Sequence, residues 1–339
     1  MTRWSVLLAL VLLLIAAVAL ATALGPVSVP VGEAARVLAR HLLFLPLTVD
    51  GTADAIVWSL RAPRVAVAAL AGLALGISGA AMQGFFRNPL ASPDITGATA
   101  GGSLGAVVAL FFKADVFSLW TVPVAAFLGA LLSVGAVYTL ATRAGRTEPT
   151  TLLLAGVGLG SLWTAIISTL FHFTEDGVLR QVVYWLMGNL GGKTWEHALI
   201  AVPFVLLSSL GLWAYSRELN IMTFGEDQAR SMGVAVGKTR QALLILVALN
   251  TGAAVSVSGI IGFVGLIVPH IMRLLIGPDH RWLLPASGLA GASFLVLCDL
   301  LARTLAAPVE LRTGIITAFF GVPFFLYLLV KRQNPAGWE

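Results

Sequence analysis

The sequence predicts an all-α integral membrane protein of about ten transmembrane helices, organised as a single transmembrane domain over residues 1–339. Two observations carry that prediction. Hydrophobic residues make up 58% of the chain, and Asp, Glu, Lys and Arg together only 11%, against roughly 25% charged in ordinary globular domains. With a mean hydropathy of +0.93, so few charges could not cover the surface of a water-soluble fold. The second observation is spacing: charge-free stretches close to the roughly 20 residues that a helix needs to cross hydrocarbon recur along the chain.

In order these are Trp4–Leu24, Val65–Phe86, Ile95–Phe112, Val116–Thr142, Pro149–Phe171, Ala198–Ser216, Gln241–Pro269, Trp282–Cys298 and Thr313–Val330. The first follows Arg3 and ends near Ala21-Thr22-Ala23, so it imitates a cleaved signal. Its apolar run exceeds a usual signal core, and a retained span is expected. Gln241–Pro269 holds 29 residues, about 43 Å as helix, which is long for one span and short for two. Val255-Ser256-Val257-Ser258-Gly259 offers a turn there, with a second helix running to about Leu275. Hydropathy alone leaves nine and ten spans open.

Ten spans with a cytoplasmic N-terminus put both termini inside, with 12 basic residues on inner loops and 9 on outer ones. The sign is the expected one but the margin is small, so the outer arginines need their own explanation. The polar insertions are Gly25–Arg61, Phe173–Glu196 and Arg217–Arg240, the first two with room for surface helices at Val31–Leu45 and Val178–Met187. Ser78-Gly79 recurs as Ser258-Gly259 late in the seventh span, running in the opposite direction. Helices 2–5 and 7–10 are therefore expected to form an inverted repeat.

Other classes fall quickly. Glycine, at 35 residues, has no three-residue period, and Cys298 is the lone cysteine, so collagen, internal disulfides and thiolate metal sites are excluded. Basic residues lie scattered between apolar runs, against a nucleic-acid face. The five histidines show no metal-ligand pairing, and no nucleophile elbow occurs. Gly233-Val-Ala-Val-Gly237-Lys238-Thr239 imitates a phosphate loop but has three residues between its glycines where four are required. No enzyme activity, metal or cofactor is therefore expected on this chain. Span interiors lack the carboxylates of an ion-coupled carrier, Asp94 and Asp299 lying near span ends. Most glycines read as helix-packing residues, as in Gly72-Leu-Ala-Leu-Gly76 and Gly97–Gly105.

Several segments, in order and nearly from end to end, give the chain a recognisable pattern. They are Arg61-Ala-Pro-Arg64, Ser78-Gly79 to Gln83, Arg87-Asn-Pro-Leu-Ala91, Leu154-Ala-Gly-Val-Gly158, Tyr184-Trp-Leu-Met-Gly188, Gly225-Glu226 to Gly233, Gly262 to Pro269-His-Ile-Met-Arg273, Asp279-His-Arg281, and Asp299 with Arg303. The sequence resembles the membrane permeases of type II ABC importers, the family that moves iron–siderophore complexes, haem and vitamin B12.

That resemblance implies ten helices per subunit in a bacterial or archaeal plasma membrane. It implies a second copy of the chain, two cytoplasmic ATPase subunits carrying ATP and magnesium, and a periplasmic or lipoprotein substrate-binding protein. The cargo it implies first is an iron complex, siderophore or haem, with cobalamin as the alternative and an ion-coupled carrier a distant one. Arg61, Arg64 and Arg303 match arginines that dock the binding protein. Residues 217–240 match a cytoplasmic coupling segment in which Gly225, Glu226, Ala229, Arg230 and Gly233 meet the ATPase. Small Ala229 and Gly233 are expected to share a face with Glu226 and Arg230 and to allow close approach. Asn88, Leu90, Pro149, Thr150 and Thr151 match a cytoplasmic gate, and the segments after Pro149 and Gly314 are expected to line the axis between two copies. The chain departs from the pattern after Glu310, where Leu311-Arg312 replaces Leu-Pro.

Overall fold

A computed structural model describes residues 2–143 and 146–332. Ten apolar helices form a bundle. Seven are long and apolar enough to cross a membrane: α1 (Arg3–Ala23), α3 (Gly51–Phe85), α5 (Thr121–Ala141), α6 (Pro149–His172), α8 (Trp195–Ala214), α11 (Val236–Ser258) and α13 (His280–Thr304). Three shorter apolar helices complete the set: α4 (Ala98–Phe111), α12 (Val264–Ile276) and α14 (Thr313–Arg332). Four short helices lie in the connections: α2 (Val31–Leu42), α7 (Asp176–Leu186), α9 (Ser216–Met222) and α10 (Glu226–Ser231). A two-residue antiparallel ladder, Thr142 to Thr147 and Arg143 to Arg146, closes the α5–α6 connection.

The long apolar run divides as a ten-span chain requires. Helix α11 stops at Ser258, Gly259 takes φ +70° and Phe263 φ +69°, and α12 begins at Val264. Helix α3 differs from the sequence reading. It begins at Gly51, includes a π-helical turn over Ala55–Arg61, and carries both Arg61 and Arg64 inside the helix. Hydropathy cut the span at those charges because their partners lie far away in sequence. Helix α13 likewise continues past Asp299 and Arg303 to Thr304.

Contacts sort the connections to two ends. At the predicted cytoplasmic end Arg3 meets Asp279, and Asn220 bonds Asp279 and His280. At the opposite end Arg64 meets Glu310, Lys113 meets Glu175, and the Trp195 indole donates to the Trp58 carbonyl. Corresponding spans of the two halves also pack alike: α3 on α13 as α11 on α5, α3 on α12 as α11 on α4, and α4 on α6 as α12 on α14.

Helix α3 is the centre of the bundle, and small residues bring its backbone against its neighbours. A Cβ at Gly72 would stand 2.2 Å from the Gly291 carbonyl oxygen, and one at Gly76 would stand 2.1 Å from that of Ser287. Without a hydrophobic drive between helices in lipid, this close packing is a main source of cohesion. Gly72→Leu is expected to cost at least the roughly 1–3 kcal/mol of an overpacked core. A lowered melting temperature of the detergent-solubilised protein, beside an unchanged control at exposed Leu132, is the measurement that checks it.

Candidate functional site

Two clusters of charged and polar residues stand at opposite ends of the bundle. The first gathers the arginines expected to dock a binding protein, and the structure shows all three engaged within the chain. Arg61, Arg64 and Arg303 are only 5%, 8% and 2% exposed. Arg61 donates to the carbonyls of Thr22, Ala23 and Val27, and Arg303 to that of Ala21. The carbonyls of Ala21, Thr22 and Ala23 are free acceptors in the last turn of α1, where a cation also meets the negative pole of the helix. That of Val27 lies in the loop beyond. Arg64 grips Asp299 with Nε and Nη2 at 3.0–3.1 Å and Glu310 with Nη1 at 2.8 Å. The Thr313 hydroxyl donates to Asp299 at 3.0 Å, so one knot holds α3, α13 and the start of α14. Guanidiniums committed in this way would have to break these bonds to reach a partner's carboxylate.

Arg312, where the family pattern has proline, is also taken up internally. Its guanidinium carbon lies 3.9 Å from the centre of the Tyr184 ring and its Nη1 donates to Asn189 Oδ1 at 3.2 Å. The Asn189 amide donates to the Ser258 carbonyl at 2.8 Å. A cation–π contact and a hydrogen bond thus hold the turn that a proline ring would otherwise stiffen.

The second cluster occupies the predicted cytoplasmic end. Gly225 takes φ +114° and ψ 161°, a conformation essentially reserved for glycine, and lets the chain enter α10. Glu226 pairs with Arg230 one turn on, at 3.5 Å, and with Arg240 at 2.5 Å. The expected shared face does not form. Ala229 is fully buried in its own chain with Met222 and Val236, while Gly233 lies beyond the helix end with φ +83°. Phe224 and Met232, 69% and 57% exposed, are the large apolar side chains this segment presents outward. Sequence spacing located the segment but could not orient a six-residue helix.

The expected gate residues fall into two turns. Asn88 is exposed and its Oδ1 accepts from the Leu90 amide at 3.0 Å, the local bonding of an Asx turn. Pro149 opens α6, exposed Thr150 follows, and the Thr151 hydroxyl donates to Glu148 at 2.7 Å. Nearby, partial burial would raise the Asp279 carboxyl. Bonds from Asn220 and the Arg281 amide, with Arg3 and Arg281 close by, outweigh it and hold the carboxyl below its ordinary value. This knot therefore contributes stability above the usual carboxylate range and loses it as pH falls through the depressed value.

Between the two ends, α6 is the least buried long span. Val157, Ser161, Thr164 and Ser168 follow one another at helical spacing and are exposed. The hydroxyls of Ser161, Thr164 and Ser168 donate back to carbonyls of the preceding turn, Ser161 to that of Val157. Beside α14 lies an apolar cavity of about 590 Å³, lined by Met187, Ile260, Phe263, Gly314 and Phe319 among others. Among the described residues no three His, Cys, Asp or Glu side chains converge as a metal site.

Comparison with known proteins decides what such a bundle is. The family model described as the FecCD transport family matches residues 4–331. The chain belongs to the FecCD transport family. It is 47% identical over 290 residues to the cobalamin import system permease BtuC of Halobacterium salinarum, covering 85% of this chain and 77% of that one. It is 40% identical to the hemin transport system permease HmuU of Yersinia pestis, covering 87% and 90%. A solved metal-chelate type ABC transporter in an inward-facing conformation superposes with a TM-score of 0.85 at 31% identity, over 96% of this chain and 99% of that one. This FecCD-family chain is accordingly a multi-pass ABC importer permease, of a family of transport permeases.

The buried arginines give this family member a testable interior. Arg64→Gln leaves Asp299 charged and buried without its main partner, at a cost of about 3–5 kcal/mol. The expected result is a marked loss of thermal stability that Asp299→Asn in the same chain partly recovers. A docking role alone would leave melting unchanged.

Proposed function

We propose that two copies of this chain form one import pathway for a bulky metal chelate, driven by two cytoplasmic ATPase subunits and supplied by an external binding protein. The observation that carries the proposal is the face of α6. A row of hydroxyls, Ser161, Thr164 and Ser168, stands exposed along a span. Facing lipid, such a row gains nothing; facing a second copy across a water-filled route, it forms a weakly polar wall. Because its hydroxyls are already bonded to their own helix, the wall offers passage without strong ligands. Selectivity then belongs to the binding protein, and ATP moves the pair between outward and inward openings. The chain itself needs no cofactor for this; ATP and magnesium act on the partner.

The cargo class is a haem, siderophore–iron or cobalamin chelate. The names of the relatives divide between cobalamin and haemin, so the two belong in the same experiment. Proteoliposomes holding the permease with its cognate ATPase and binding protein are expected to accumulate one of the two with ATP and not with an ion gradient. Accumulation driven by an ion gradient alone would reject the importer assembly. Cysteines placed along Leu152–Gly160 are expected to crosslink between copies, with a yield that changes on nucleotide binding. Reaction confined to single subunits, with transport by a monomer, would reject the shared pathway.

The docking surface for the ATPase is taken to be the exposed rim of α10. Phe224→Asp and Met232→Asp are expected to reduce copurification of the ATPase at least tenfold, about 1.4 kcal/mol of binding, without lowering the melting temperature. Ala229→Trp, by contrast, is expected to lower it, because that methyl packs inside the chain.

A further inference from the structure

Arg240 stands on the second turn of α11 and is 5% exposed. Its guanidinium touches three elements at once. Nη2 donates to Glu226 Oε1 on α10 at 2.5 Å, and Nη1 donates to the Thr147 carbonyl at 2.8 Å. The guanidinium carbon lies 5.7 Å from the centre of the Phe85 ring, at the end of α3. Thr147 immediately precedes Glu148-Pro149, where α6 begins, and Phe85 stands two residues before the Arg87-Asn88-Pro89-Leu90 turn.

Among the described residues, the Glu226–Arg240 pair is the polar side-chain bond that ties α10 to another element. The rest of the attachment is a small apolar cluster of Met222, Ala229 and Val236. Thr147 is itself held, with its hydroxyl 2.9 Å from that of Thr142 across the two-residue ladder. A planar guanidinium with fixed donor directions suits a link of this kind, and the point charge of lysine does not.

We infer that Arg240 is a positioning residue that transmits movement of α10 to the start of α6 and the end of α3. This rests on the importer reading above, since it needs an ATPase that moves α10. When α10 shifts, the Glu226 carboxylate pulls a group that simultaneously holds the Thr147 carbonyl. The α6 entry then follows α10 as one body. The exposed partner Arg230 keeps Glu226 oriented without joining the link.

The test uses the complete complex of permease, ATPase and binding protein in lipid nanodiscs, with spin labels at exposed Gln228 on α10 or exposed Leu154 on α6, and ATP–vanadate as the nucleotide probe. In the parent protein both labels are expected to change their inter-copy distances. In Arg240→Lys, ATP hydrolysis and the Gln228 response are expected to persist, while the Leu154 response falls below about half, as befits a coupling free energy concentrated in few contacts. An unchanged Leu154 response overturns the inference, as does a variant that only melts earlier with both responses intact. If Arg240→Lys does not assemble, the exchange Glu226→Arg with Arg240→Glu serves. It restores the ion pair but sets a carboxylate against the Thr147 carbonyl, so assembly should return without the Leu154 response. Full recovery of that response overturns the three-way link. A parent complex in which neither label responds counts against the importer assembly and not against Arg240.

Discussion

Hydrocarbon offers no hydrogen-bond partner to a peptide group or a guanidinium, and most of this architecture follows from that constraint. Every span is helical, which satisfies its backbone internally. The groups that helices leave over are the carbonyls of their last turns, and here they become ligands. The end of α1 supplies the Ala21, Thr22 and Ala23 carbonyls, and the loop after it that of Val27, to Arg61 and Arg303. Arg61 and Arg303, each a charge within an apolar span, thus find their partners inside the chain itself. They satisfy the end of one helix and, through Asp299, tie three others together.

The same solvent removes the usual hydrophobic drive for helix association, and close approach replaces it. It operates both within the first half of the chain and across the two halves. In the first, α4 meets α5 where a Cβ at Gly105 would stand 2.1 Å from the Ala125 carbonyl; across the halves, α3 meets α13 at Gly72 and Gly291. Asn250, wholly buried on α11, donates to the Ala74 carbonyl of α3 at 3.3 Å and to Ser209 of α8 at 3.2 Å. A polar side chain is tolerated there because both of its neighbours can receive it.

Most of the spans, a possible break near Gly259 and the short helices α2 and α7 were legible in the sequence, because hydropathy and glycine position are local signals. Hydropathy alone did not decide between nine spans and ten. The arginines were visible as anomalies, but their role was not. Arg64 finds Asp299 at a separation of 235 residues, and spacing alone cannot reveal such a pair. The segment 217–240 was legible in its composition as a polar insertion between spans, yet the orientation of its short helix depended on which way one methyl pointed. Ala229 faces Met222 and Val236, and a six-residue helix has too little periodicity to announce that. Arg240 carried no signal beyond a basic residue at the edge of an apolar run, where solvation is the ordinary reading.

Burial also divides the bundle mechanically. In the apolar window of α3, 78% of residues are buried, against 17% in α6. Local stability follows buried contact, so rearrangement should concentrate in the weakly held elements while the packed ones stay rigid. Helix α6 is therefore the span best suited to move, and α3 the one best suited to serve as its frame. The Arg240 guanidinium sits on that boundary, between the entry to α6 and the end of α3. A single long side chain, buried against the frame and bonded to the mobile element, can convert a shift of a surface helix into a tilt of a span. A loose hydrophobic contact at the same place would let the surface helix slide without moving the span at all.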